Sequence, residues 1–83
     1  QISRAKNYEN GEIIFKEGDT GDSMFIVLDG EITIKKGDKL IAKLERGASL
    51  GEMALLDHEA RSADAIAEKD SVLLKINQDV FYE

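Results

Sequence analysis

Short apolar runs, separated by breaks rich in Gly, Asn and Asp, divide this sequence into pieces of strand length. Glu12 to Lys16 is a brief apolar run and Ser23 to Leu28 a longer one, with the turn-forming Gly18-Asp19-Thr20-Gly21-Asp22 between them. Asp29-Gly30 lies between two β-rich runs and predicts a hairpin, after which Glu31 to Lys35 alternates polar and apolar as a half-buried strand does. Gly37-Asp38 supplies the next turn. Lys39 to Leu44 then places Leu40, Ala42 and Leu44 on one face, and Glu45-Arg46-Gly47 ends it. This cadence of roughly one strand per eight to ten residues predicts an antiparallel sandwich or barrel rather than a parallel sheet with crossover helices.

The rhythm breaks at Gly51-Glu52-Met53-Ala54-Leu55-Leu56, whose residues favour a helix of one or two turns. Strands resume with Arg61 to Ala67, where Ala63, Ala65 and Ala67 share a face with Arg61, and with Ser71 to Ile76. Asn77 is a good N-cap for a helix beginning at Gln78, and Asp79 suits its first turn.

Composition narrows the function. The chain has 83 residues, 42% hydrophobic and 34% charged, which is enough for one domain, residues 1–83, with one core. Its stability is expected near the lower end of the usual range, about 5 kcal/mol. No Cys is present and His58 is the single His, so disulfides, thiolate chemistry, a zinc site, a Ser-His-Asp triad and a cupin-type metal centre all lack parts. An enzyme and a metal cofactor are therefore not expected. The formal charge of -6 argues against nucleic acid, and neither Ser3 to Glu12 nor Lys35, Lys36 and Lys39 form an undiluted basic patch. No apolar run approaches the roughly 20 residues that cross a bilayer, so no membrane contact and a cytoplasmic setting are expected.

One constellation carries chemistry. A glycine ahead of a short helix lets backbone approach a ligand, and the free N–H groups of a first helical turn attract an anion. Arg61, nine residues after Glu52, can add a planar clamp on phosphate oxygens. A carboxylate beside an anion site does not suit phosphate itself but does suit a sugar hydroxyl, so Glu52 with Arg61 describes a ribose-phosphate reader. Taken singly, the glycines would be turn residues, Glu52 and Arg61 an exposed ion pair, Met53, Leu55 and Leu56 core, and His58 a solvated loop residue. Their conjunction at fixed spacing is what points to a ligand.

Gly51-Glu52-Met53-Ala54-Leu55 followed by Arg61-Ser62-Ala63 resembles the phosphate-binding cassette of the cyclic-nucleotide-binding domains. These are found in regulatory subunits of cAMP-dependent protein kinase, bacterial catabolite activators and cyclic-nucleotide-gated channels. Gly11-Glu12-Ile13-Ile14-Phe15, Glu17-Gly18-Asp19, Gly21-Asp22 and Phe25 to Glu31 resemble the family's opening strands and turns, and the similarity runs over nearly all of residues 8 to 80. The resemblance implies a mainly β fold, an antiparallel jelly-roll barrel with a short phosphate-binding helix. It implies a ligand-contacting set of Gly51, Glu52, Met53, Ala54, Arg61, Ser62 and Ala63. In that set Glu52 holds the ribose 2'-hydroxyl, Arg61 the cyclic phosphate, and backbone N–H groups around Gly51, Ala54, Ser62 and Ala63 the rest of the cradle. Three alanines on the strand face of Arg61 would leave room in the barrel for the ligand.

In the family, longer C-terminal helices close over the base. This sequence ends at Glu83 within the first turns of such a helix, so a truncated C-terminal helix and a missing lid and output domain are expected. Ser62, the residue after the Arg, resembles the bacterial activators that respond to cAMP, while Thr or Ser there elsewhere favours cGMP; cAMP stands ahead of cGMP. Ligand capture would act as a regulatory signal, relayed through the helix after Asn77. The competing reading is a ligand-free barrel of the same shape that serves as a protein interaction module.

Overall fold

A computed structural model describes residues 3–21, 23–51 and 60–77, and every regular element in them is a β-strand. The strands are β1 (Ser3–Tyr8), β2 (Ile13–Phe15), β3 (Ser23–Asp29), β4 (Glu31–Lys36), β5 (Lys39–Glu45), β6 (Ser49–Leu50), β7 (Asp64–Ala67) and β8 (Ser71–Asn77). They form two four-stranded antiparallel sheets, one in the order β1-β8-β3-β6 and the other β2-β7-β4-β5. The expected antiparallel, mainly β architecture is thus present. The helix predicted over residues 51–56 and the one after Asn77 lie outside the described residues, except for Gly51 itself.

Period-two alternation explains the packing. Along β3, Ser23, Phe25 and Val27 are buried while Met24 and Ile26 are half-buried; along β7 the buried positions are Ala65 and Ala67, and along β8 they are Ser71 and Leu73. Phe25, Val27, Leu50, Leu73 and Tyr8 from the first sheet meet Ile32, Ala65 and Ala67 from the second in one core cluster. Ile14, Phe15, Ile34 and Leu44 pack against its margin.

Three local expectations are corrected. Asp29-Gly30 does not make a hairpin: β3 and β4 belong to different sheets, and the chain turns a corner at Gly30, whose φ is 105°. Leu40 does not share a face with Ala42 and Leu44, because Ile34 pairs with Ala42 while Lys35 pairs with Leu40, leaving Ile41 as an extra residue in β5. That bulge leaves Leu40 and Ile41 each 52% exposed. A matching irregularity between Val27 and Asp29 puts Leu28 in a bulge of β3 and exposes it. Thirdly, Ala65 and Ala67 are fully enclosed in the core rather than bordering open space, and Ala63 precedes β7 and is half-buried.

Thr33, on β4, is 4% exposed and its Oγ1 has no hydrogen-bond partner. A buried hydroxyl without a partner forfeits its hydration, so Thr33→Val, which keeps the shape, is expected to raise stability by up to about 1 kcal/mol. Chemical denaturation of the two proteins reads this directly, as an upward shift of the midpoint at constant slope.

Candidate functional site

Among the described residues Arg61 is the one charged side chain that is buried, at 8% exposure. It does not lie on a strand, as the sequence suggested, but in the irregular segment that leads into β7 at Asp64. Its backbone is fixed by the loop between β2 and β3: the Arg61 N–H donates to the Asp19 carbonyl at 2.8 Å, and the Gly18 N–H donates to the Arg61 carbonyl at 2.8 Å. The loop is itself held shut. The Lys16 N–H donates to the Asp19 carboxylate at 3.0 Å, the Asp19 N–H to the Lys16 carbonyl at 3.0 Å, and the Glu17 N–H to the Asp64 carboxylate at 2.7 Å. A bridge between Thr20 and Ala60 continues the contact.

The guanidinium is oriented as firmly as the backbone. Nη2 donates to the Ser23 carbonyl at 2.9 Å, at the start of β3, and Nη1 donates to the Gly51 carbonyl at 3.2 Å, just past β6. Its Cζ stands 4.3 Å from the centre of the Phe15 ring, a cation–π contact between Arg61 and the end of β2. Four separate segments therefore converge on one cation.

Gly51 is where the sequence placed a glycine that lets backbone come close, and the structure shows what it comes close to. Its φ is 81°, in the region that favours glycine, and a Cβ there would stand 2.5 Å from Nη1 of Arg61. Of the predicted contact residues, the structure thus brings Gly51 and Arg61 together. Ser62 is exposed and Ala63 half-buried in the turn that follows. Glu52, Met53 and Ala54 lie outside the described residues.

Sequence reasoning missed Phe15, Gly18, Asp19, Gly21 and Ser23 as parts of this site. Nothing in the sequence separates Gly21 from the turn glycine Gly18, but the structure does. Gly18 has a φ of 90° and needs to be glycine for its turn, whereas Gly21 is not among the glycines of positive φ. Its side chain is missing for reasons of space. A separate open groove, lined by Asn10, Asp29, Gly30, Lys69 and Asp70, carries two carboxylates against one ammonium and is the wrong charge for phosphate.

Known proteins share the fold on which this geometry is built. The family model described as the cyclic nucleotide-binding domain matches residues 5–83. A cGMP-dependent protein kinase of Plasmodium berghei (strain Anka) is 45% identical over 64 residues, covering 77% of this chain and 8% of the kinase. A cAMP-dependent protein kinase regulatory subunit of Mycosarcoma maydis is 33% identical over 66 residues, covering 75% of this chain and 13% of the subunit. The chain thus corresponds to a small part of the length of these relatives. The solved structure of Sp-2Cl-cAMPS bound to PKAR CBD2 superposes with a TM-score of 0.92 at 34% identity, over 98% of this chain and 56% of that one.

Proposed function

The chain belongs to the cyclic nucleotide-binding domain family, and from that premise we propose that it captures a cyclic nucleotide as the sensor module of a larger cytoplasmic protein and performs no chemistry on it. The observation that carries this reading is the guanidinium of Arg61, buried yet held in a fixed direction by the carbonyls of Ser23 and Gly51 and by the Phe15 ring. Those three groups are neutral. They hold the planar fork in one direction, and a cation kept largely out of water gains more from an anion than an exposed one does. In this reading Arg61 takes the cyclic phosphate and Glu52 accepts a hydrogen bond from the ribose 2'-hydroxyl. Gly51, Met53, Ala54, Ser62 and Ala63 supply the remaining contacts, on a short helix over residues 51–56 at the mouth of a jelly-roll barrel.

The two kinase relatives are named for different nucleotides, so overall similarity does not choose the base, and Ser62 is compatible with either; we place cAMP ahead of cGMP, with cGMP close behind. The route for a signal runs through Ser23. Its carbonyl is bonded to Arg61, and as a residue of β3 it pairs with Asn77, the last residue of β8. A ligand that redirects the guanidinium acts on the strand pair from which the C-terminal segment departs, and it can shift that equilibrium only by its difference in affinity for the two arrangements.

Calorimetric titration with cAMP, cGMP and 5'-AMP tests the proposal. Saturable binding of the two cyclic nucleotides is expected, cAMP tighter than cGMP and 5'-AMP weakest. Absence of saturable binding by either cyclic nucleotide contradicts it. Hydrogen exchange read in the same samples should change at residues 77–83 on binding, and unchanged exchange there would remove the relay while leaving the sensor.

A further inference from the structure

The contacts around Arg61 do more than bury it. Phe15 sits at the end of β2, opposite the small Ala65 of β7. Its ring lies 6.2 Å from that of Phe25 at an angle of 38°, and Phe25 is a core residue at 4% exposure. The ring is thus set by the core, and it offers Arg61 a surface at 4.3 Å. Gly21 closes on the same group from the loop. A Cβ at Gly21 would overlap Nη2, Cζ and Nε of Arg61 together, so it would fall on the plane of the guanidinium and not at one tip. Since Gly21 is not among the glycines of positive φ, conformation does not ask for glycine there.

We infer that Phe15 and Gly21 are positioning residues for the guanidinium: the ring attracts it to one direction and the missing side chain leaves that direction open. This rests on the reading of Arg61 as the phosphate contact, and it adds two residues to that site which lie some 40 positions away in sequence. A planar, bidentate donor binds an anion well only when its fork is aimed, and the cost of aiming it is met by the fold before the ligand arrives.

The test compares Phe15→Leu, which keeps apolar volume without a π face, with Phe15→Tyr, which keeps the face. Two readouts are taken on the 83-residue chain. The first needs no ligand: the side-chain Nε–Hε resonance of Arg61 in a nitrogen–proton correlation spectrum, which a ring at this range shifts. It should move in Phe15→Leu and stay in Phe15→Tyr. The second is cAMP affinity by titration, expected to fall about tenfold in Phe15→Leu and to stay within about twofold in Phe15→Tyr. Gly21→Ala should displace the resonance and weaken cAMP further, with the two midpoints of unfolding for the Phe15 variants remaining close. An Arg61 resonance unmoved by Phe15→Leu overturns the inference, as does an equal loss of affinity in the Leu and Tyr variants. A wild-type chain that ignores cAMP and cGMP would overturn the proposed function instead, and the resonance would still decide the positioning.

Discussion

Arg61→Ala is expected to abolish the response to cyclic nucleotide and, without any ligand, to lower the stability of the domain by about 2 kcal/mol. The first effect follows from losing the phosphate contact. The second follows from the unliganded geometry. The Ser23 and Gly51 carbonyls each lose a charge-assisted donor, and the Phe15 ring loses its cation. Hydrogen bonds to charged groups contribute roughly 1.5–3 kcal/mol apiece, and relief from burying a charge offsets part of the sum. The main-chain bonds of residue 61 to Gly18 and Asp19 survive the substitution, so the loop keeps its path. In a domain of this size the loss corresponds to a fall in the melting midpoint of roughly 10 °C. Arg61→Lys is expected to lie between, because one ammonium cannot serve two carbonyls with the planar fork that guanidinium has. An Arg61→Ala protein as stable as wild type would mean that the buried guanidinium contributes nothing to the fold.

Gly30→Ala is expected to cost about 3 kcal/mol, more than half of the stability anticipated for a chain of this length. Two causes add. A residue with a side chain resists the left-handed region, where Gly30 sits at φ 105°, by about 1 kcal/mol or more. A Cβ there would also stand 2.5 Å from Cβ and 2.7 Å from Cα of Ser71, and the latter is backbone that cannot rotate away. Ser71 is itself buried and committed: its hydroxyl donates to the Lys69 carbonyl at 2.7 Å and accepts from the Glu31 N–H at 3.1 Å. That pair of bonds ties the corner between the sheets to the start of β8, so pushing Ser71 aside loosens both. Gly37→Ala is the control. Its φ is 61°, but nothing stands within 4 Å of the added Cβ, so only the conformational cost of about 1 kcal/mol is expected. Denaturant unfolding of the two variants separates the steric from the conformational cost; equal losses would contradict the account of the corner.

The same corner shows where sequence reading stops. Asp29-Gly30 between two β-rich runs is correct as a turn of positive φ, yet the dipeptide does not say whether the flanking strands pair with each other. Here they pair with other strands in different sheets, a choice made by contacts distant in sequence. For the same reason β1 was not legible. Ser-Arg-Ala-Lys-Asn-Tyr has no apolar alternation, and it is a strand because β8 offers it a ladder from Ser3 opposite Ile76 to Tyr8 opposite Ser71. β6, with two residues, is too short for any periodicity to mark. The five other strands from β2 to β7, and β8, follow their apolar runs closely, although the segment from Arg61 proves to be strand only from Asp64.

The candidate site divides along the same line. Gly51 and Arg61 stood out because they fall within one local pattern, and the structure joins them by a hydrogen bond. Phe15, Gly21 and Ser23 reach Arg61 only through the fold, and a turn glycine looks the same in sequence as one kept small to admit a guanidinium. The alanines misled in the opposite sense. Their small size makes room for neighbouring core side chains, with Ala65 facing Phe15 across β2 and β7 and facing Ile34 across β4 and β7.

The most direct test of the central claim, that Arg61 anchors a cyclic-nucleotide phosphate, is thermal unfolding of the wild-type chain and of Arg61→Ala, each with and without millimolar cAMP and cGMP. A ligand at a hundredfold excess over its dissociation constant adds about 2.7 kcal/mol, several degrees or more in a domain this small. The account predicts a rise for wild type, larger with cAMP than with cGMP, and none for the variant; a rise of equal size in Arg61→Ala, or no rise in either protein, would contradict it.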